Sequence, residues 1–157
     1  MSKTILIAED DENDAALLEQ ILRVTCENNP VVTVADGDQV IAYLSGTGQF
    51  SDRRLFPLPS VLFLDIKMPR VNGFQVLDWL RRHPPTRPLL VIALTGCLEY
   101  KDGQKAFQFG AHTFLTKPCT TEDVRNLRQS FAGYWESSPV RDTSPSGSFW
   151  TSLSDYA

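Results

Sequence analysis

Carboxylates stand together at Glu9-Asp10-Asp11 and singly at Asp65, each at the end of a short apolar run. Thr95-Gly96 and Lys117-Pro118 stand in the same relation to two further runs. Carboxylates that converge repel one another, and each has its pKa raised unless a cation joins them. A small set of hard oxygen donors suits Mg²⁺, which takes one or two carboxylates, keeps several waters and leaves room for phosphate oxygens. Asp10 with Asp65, or Asp11 with Asp65, would ligate directly, and the backbone carbonyl of Lys67 could complete the protein's share. The other groups suit a phosphoryl group carried on a carboxylate. Aspartate can act as a nucleophile that becomes an aspartyl phosphate. Such transfer needs mainly positioning and charge neutralisation. Lys117 offers a cation to one phosphoryl oxygen and Thr95 a hydroxyl to another. Backbone N–H groups near Gly96 and Lys67 could serve as well. Asp65 is the candidate nucleophile because it ends the run between the acidic cluster and the Thr/Lys side.

Each motif alone has a plainer role. Asp10-Asp11 could cap a helix, since caps favour Asp. A lone Asp after a strand is often a turn residue. Only a fold that gathers all of them makes them one site.

The apolar runs supply that fold. Ile5–Ala8, Val31–Val34, Val61–Leu64, Leu89–Leu94 and Thr113–Leu115 start roughly 23 to 30 residues apart, one βαβ step each. Continuous rather than alternating apolar runs are what a parallel sheet covered on both faces requires. The intervening segments have helical spacing. Leu18, Ile21, Leu22 and Thr25 share a face, as do Val76, Leu77 and Leu80, and Val124, Leu127 and Phe131. Thr120 stands three residues before Asp123, a capping-box arrangement. The weakest helix, over about 98–109, contains Gly103, at about 1 kcal/mol relative to Ala. The expectation is an α/β doubly wound sheet of five parallel strands flanked by five helices, flavodoxin-like. Such sheets bind ligands beyond the carboxyl ends of their strands, at the switch point in strand order. Every chemical motif above falls on that edge.

Two segments depart from the pattern: the connection from Ser45 to Ser60, with Gly46, Gly48, Pro57 and Pro59, and a Ser/Pro-rich end. The reading is a domain over 1–134 and a tail over 135–157 whose Phe149, Trp150 and Tyr156 could anchor it on its own domain or on a second copy. In the connection, Phe50, Leu55 and Phe56 are expected to pack on the lower end of the sheet.

Composition excludes several classes. The 157 residues are 42% hydrophobic and 22% charged with a net charge of −4, a globular balance with nothing basic to invite nucleic acid. The pairs Arg53-Arg54 and Arg81-Arg82 read as solvated faces. Cys26, Cys97 and Cys119 form no CxxC, which argues against a disulfide framework or zinc site and suits a reducing cytoplasm. No apolar run approaches the ~18 residues of a membrane span, and the N-terminus lacks a signal peptide's apolar region. His83 and His112 share no ligand spacing and read as surface or core residues.

The motifs Ala-Glu-Asp-Asp, Leu-Phe-Leu-Asp-Ile-Lys-Met-Pro-Arg-Val-Asn-Gly, Ala-Leu-Thr-Gly and Phe-Leu-Thr-Lys-Pro together closely resemble the receiver domain of two-component response regulators, over about residues 3–133. The resemblance implies strand order 2-1-3-4-5, Asp10 and Asp11 as metal-pocket acids, and Asp65 as phosphoacceptor. It implies Thr95 as switch hydroxyl, Gly96 beside it, and Lys117 as phosphate-binding lysine. Phe114 stands at the aromatic switch position, where many members carry Tyr. Lys67 and Cys97 stand where the family tunes dephosphorylation. A phosphohistidine on a sensor histidine kinase would donate to Asp65 with Mg²⁺ (or Mn²⁺) bound, and the chain would catalyse only its own phosphotransfer and dephosphorylation. The tail is too short and polar for a DNA-binding effector, so output is expected through protein contacts around the fourth helix, fifth strand and fifth helix. The same face or the aromatic tail could support a homodimer. The insertion at 48–59 and Val-Leu-Asp-Trp-Leu-Arg (76–81) look like stand-alone regulators paired with phytochrome-type or hybrid kinases. A phosphatase built on an aspartyl phosphate would need a second Asp two residues after Asp65, where Lys67 stands.

Overall fold

The structure, a computed structural model, describes residues 3–96 and 100–135. Five strands form one sheet: β1 (Thr4–Ala8), β2 (Val31–Val34), β3 (Pro59–Asp65), β4 (Leu90–Thr95) and β5 (Thr113–Thr116). The order is β2-β1-β3-β4-β5 and every pairing is parallel. The helices are α1 (Glu12–Thr25), α2 (Gly37–Ser45), α3 (Gly73–Arg82), α4 (Tyr100–Gln108), α5 (Thr121–Ser130) and α6 (Ala132–Trp135), with one 3₁₀ turn at Gly48–Phe50.

Strand side chains alternate between two apolar layers. Ile5, Ile7, Val61, Phe63, Leu90, Ile92 and Leu94 meet α1 and α5 on one face. Leu6, Ala8, Leu62, Leu64, Val91 and Ala93 meet α2, α3 and α4 on the other. Both layers are dry, so both phases of the alternation must be apolar, which is why the strands read as unbroken runs. The expected helix faces are buried at Leu18, Ile21, Leu22 and Thr25, and at Val124, Leu127 and Phe131. Thr120 and Asp123 form the anticipated capping box. Gly103 has a packing reason: a Cβ there would lie 2.5 Å from Cδ2 of Phe114. The glycine lets the β5 aromatic lie flush against α4.

Four features differ from the sequence reading. Pro59 and Ser60 belong to β3, so the connection after α2 is shorter than it looked. Leu55 is 70% exposed; only Phe50 and Phe56 pack, edge-to-face with each other and around Tyr43.

Arg53, unlike the exposed Arg54, is no solvated charge. Its guanidinium donates to the carbonyls of Tyr43 (2.8 Å), Leu44 (2.9 Å) and Phe56 (3.1 Å). It thereby adds donors to the last carbonyls of α2, of which that of Tyr43 also takes the Gly46 N–H, and ties the insertion to that end. Arg53→Ala is expected to cost about 2–3 kcal/mol in urea unfolding, since a charged donor to buried carbonyls is lost. Arg53→Lys should recover less than half of that, because an ammonium cannot span the same fork.

The fourth difference is the sixth helix. Trp135, assigned to the tail by composition, is 1% exposed and packs in the α1/α5 layer. Its turn is held by side chains from the sheet's lower end: Ser60 Oγ donates to the Tyr134 carbonyl (2.5 Å), Asn29 Nδ2 to that of Trp135 (3.0 Å) and Lys3 Nζ to that of Gly133 (2.8 Å). The tail aromatics Phe149, Trp150 and Tyr156 lie outside the described residues.

Candidate functional site at the carboxyl edge of the sheet

Asp65 is the last residue of β3, paired with Leu94 of β4, and Leu64 just before it pairs with Ala8 of β1. The apolar stretch beneath it is fully buried, so the carboxylate is held rigidly at the sheet's edge and is itself only 3% exposed. The chain then turns: Ile66 N–H bonds the Leu94 carbonyl (3.1 Å), and Gly73 N–H bonds the Ile66 carbonyl (2.9 Å). A Cβ on Gly73 would lie 2.7 Å from the Asp65 carbonyl oxygen, so the start of α3 can approach this close only as glycine. Arg70 has a positive φ of 62° in this loop and pairs with Asp36 and Asp38 at the start of α2.

Three acidic residues converge here: Glu9, Asp10 and Asp65 each offer an oxygen within 4.8 Å of the others. Asp11, expected among the metal acids, points elsewhere. It is the N-cap of α1, where one oxygen accepts the N–H groups of Asn13 and Asp14, both at 2.9 Å. The plainer cap role weighed for the Asp10-Asp11 pair therefore falls to Asp11, and Glu9 takes the vacated place. A signal for this was available: Asp11 precedes Asp14 by three residues, as Thr120 precedes Asp123. Glu9 is 4% exposed, and its Oε2 accepts the Asp11 N–H at 3.2 Å.

The cation of the site is Lys117. Its backbone N–H bonds the Thr95 carbonyl (2.7 Å), and its peptide bond to Pro118 is cis. Its ammonium lies 3.0 Å from Glu9 Oε1, 3.2 Å from Asp14 Oδ2 and 3.5 Å from Asp65 Oδ2. Burial works against that charge, but the bond to Glu9, the charges of Asp65 and Glu9 and the bond to Asp14 outweigh it and hold the ammonium above its ordinary range. Asp65 is perturbed the other way. Burial first, then the neighbouring Glu9 carboxylate, push its carboxyl up to about 8, against smaller opposing effects of Lys117 and the Lys67 N–H. The site thus concentrates more negative charge than one ammonium neutralises. Its donors are all hard oxygens, the set that suits Mg²⁺ or Mn²⁺. Asp10 is the exposed member, on the side open to solvent.

The remaining expected residues gather nearby. Thr95 ends β4 and is 3% exposed; its hydroxyl has no hydrogen-bond partner among the described residues. Gly96 follows it, half-buried. Lys67 donates its N–H to Asp65 Oδ1 (3.1 Å), while its ammonium is turned toward Asp102 of α4 (3.9 Å). Phe114 is half-buried between Gly103 and Phe107, whose ring it meets edge-on at 5.5 Å. Cys97 lies outside the described residues. The histidines stay out of the site: His83 stacks on Trp79 at 4.6 Å, and His112 Nδ1 accepts the Val91 N–H at 3.0 Å. Among the described residues no helix is long and apolar enough to cross a membrane.

Residues 5–129 match the family model described as the response regulator receiver domain. Response regulator Rcp1 of Synechocystis sp. is 24% identical over 133 residues, covering 85% of this chain and 88% of that protein. Among solved structures, bacteriophytochrome response regulator RtBRR superposes with a TM-score of 0.73 at 29% identity, covering 99% of this chain and 91% of the other. A response regulator in red light signaling of R. palustris gives 0.72 at 30% identity, covering 90% of this chain and 99% of the other.

Proposed function

From the premise that the chain belongs to the response regulator receiver domain family, we propose that it accepts a phosphoryl group on Asp65 from a sensor histidine kinase and signals through a phosphorylation-dependent protein-binding surface. The observation that carries this is a buried carboxylate at the end of the central strand, with an ammonium 3.5 Å away and two further acidic residues in reach of one ion. An Asp65 oxygen attacks phosphorus, the P–N bond of the phosphohistidine breaks, and the leaving imidazole keeps that electron pair and takes up a proton. Lys117 donates to one phosphoryl oxygen and the Thr95 hydroxyl, which has no partner among the described residues, to another; the N–H groups of Lys67 and Gly96 would serve as further donors. Asp10 and Asp65, with the Lys67 carbonyl and Glu9 alongside, would hold Mg²⁺ or Mn²⁺, which when bound neutralises charge on the phosphoryl oxygens.

Phosphorylation would bias an existing two-state surface rather than build a new one. That surface is α4, β5 and α5, where Phe114 rests on Gly103 without the hydroxyl that a tyrosine would bring. The names of the two structural neighbours favour a phytochrome-type kinase as the donor.

Incubation with acetyl phosphate and Mg²⁺, followed by intact mass, tests the reading. One phosphate adduct is expected, absent with EDTA and absent in Asp65→Asn. No adduct, or an adduct that survives Asp65→Asn, would mean an interaction module that takes no phosphate at this residue.

A further inference from the structure

Lys117 is held by one carboxylate that the metal cluster does not contain. An ammonium has three N–H donors. Glu9 and Asp14 each take one at hydrogen-bond distance, whereas Asp65 stands back at 3.5 Å. Of these three partners, Glu9 and Asp65 belong to the group able to share an ion, and Asp14 does not. A cation in that group would weaken the pull of Glu9 and Asp65 on the ammonium and leave the pull of Asp14 intact. Asp14 also lies on the solvent side: it sits in the first turn of α1, its N–H fixed by the Asp11 cap, with a side chain 41% exposed against 2% for Glu9.

We propose that Asp14 is a positioning residue that draws the Lys117 ammonium toward α1 and off the phosphoacceptor, so that phosphoryl uptake competes with it. The inference rests on the reading of Asp65 as phosphoacceptor. Its sense follows from the geometry. A phosphoryl oxygen on Asp65 competes for the ammonium with its two short contacts, which leave it one N–H. The contact on the solvent side, outside the cluster, is the one that costs least to break. Asp14 thus acts as a brake on phosphorylation built into α1.

The test follows adduct formation with acetyl phosphate and Mg²⁺ in wild type, Asp14→Asn, Asp14→Glu and Lys117→Gln, and in the double variant. Asp14→Asn keeps a polar group and removes the charge, and should speed uptake roughly two- to fivefold, the scale of a half-exposed ion pair. Asp14→Glu should restore the slow rate. In the Lys117→Gln background the Asp14→Asn gain should vanish. An unchanged or slower rate in Asp14→Asn overturns the proposal. A gain of equal size without Lys117 also overturns it, because charge repulsion of the donor would then suffice. A readout free of phosphate separates this from the phosphoacceptor reading: brief labelling of the wild type with an amine-reactive reagent, with Lys117 quantified by peptide mass. Asp14→Asn should raise labelling of Lys117 by a similar factor even if wild type takes up no phosphate. Equal labelling overturns the proposal, whereas labelling that rises without any adduct leaves Asp14 in place and overturns the role of Asp65.

Discussion

Asp65→Asn stabilises the metal-free protein at alkaline pH, by about 2–4 kcal/mol in urea unfolding at pH 9 with EDTA present. The reason is the charge of the site. Burial and the Glu9 carboxylate raise the Asp65 carboxyl from an ordinary 3.8 to about 8. A raised acid stabilises the fold fully below its unfolded value. That contribution is lost as pH climbs towards the folded value, because the unfolded chain releases the proton freely and the native one resists. The loss therefore begins above about pH 4 and is complete a little above pH 8. Asn carries no charge to bury. The advantage of Asp65→Asn should be near zero at pH 4, intermediate at pH 6 and largest at pH 9. Saturating Mg²⁺ should stabilise wild type and leave the variant almost unmoved, since the ion binds the native carboxylates. A variant less stable than wild type at pH 9 in EDTA would show that Lys117 already neutralises the site.

Trp135→Ala is expected to cost about 3–5 kcal/mol, the scale of an aromatic lost from a closed core. The side chain is 1% exposed, its ring meets Phe63 edge-on at 6.4 Å, and its turn closes the lower end of the α1/α5 layer. The indole Nε1 has no hydrogen-bond partner among the described residues. Trp135→Phe gives up volume but no hydrogen bond, and removes a buried donor. It should therefore cost less than half as much as Trp135→Ala. Urea midpoints of the two variants check both figures. Equal losses would mean that the indole N–H is satisfied by a group such as a buried water.

Both predictions concern residues whose types were plain in the sequence and whose surroundings were not. Asp65 could be placed because four apolar residues lead into it, and a dry strand leaves its end no freedom. Thr95 and Lys117 were legible on the same ground, as polar groups at the ends of further strands. The acidic cluster was read one residue out of place. Asp10 and Asp11 look equivalent in a row of three acids, but a strand end and a helix cap compete for them. The start of α1 turned Asp11 onto its own backbone, and Glu9, next after β1, was left facing Lys117.

Local pattern decides a residue's role when its partners are neighbours in the chain. Hence local pattern located α1, α3 and α5, the Thr120–Asp123 cap and the alternation of strands and helices along the chain. Partners distant in sequence are chosen only when the layers close. Arg53 looked like half of a solvated pair until the end of α2 presented it with its last carbonyls. Trp135 looked like the first residue of a polar tail until β1, β2 and β3 brought Lys3, Asn29 and Ser60 to its turn. Asp14 showed nothing beyond the first turn of an acidic helix until β5 delivered Lys117 beside it, 103 residues away. The sequence by itself determined which chemistry this edge could host. Tertiary structure decided which carboxylates share the lysine, because that depends on the direction of each side chain where separate elements meet.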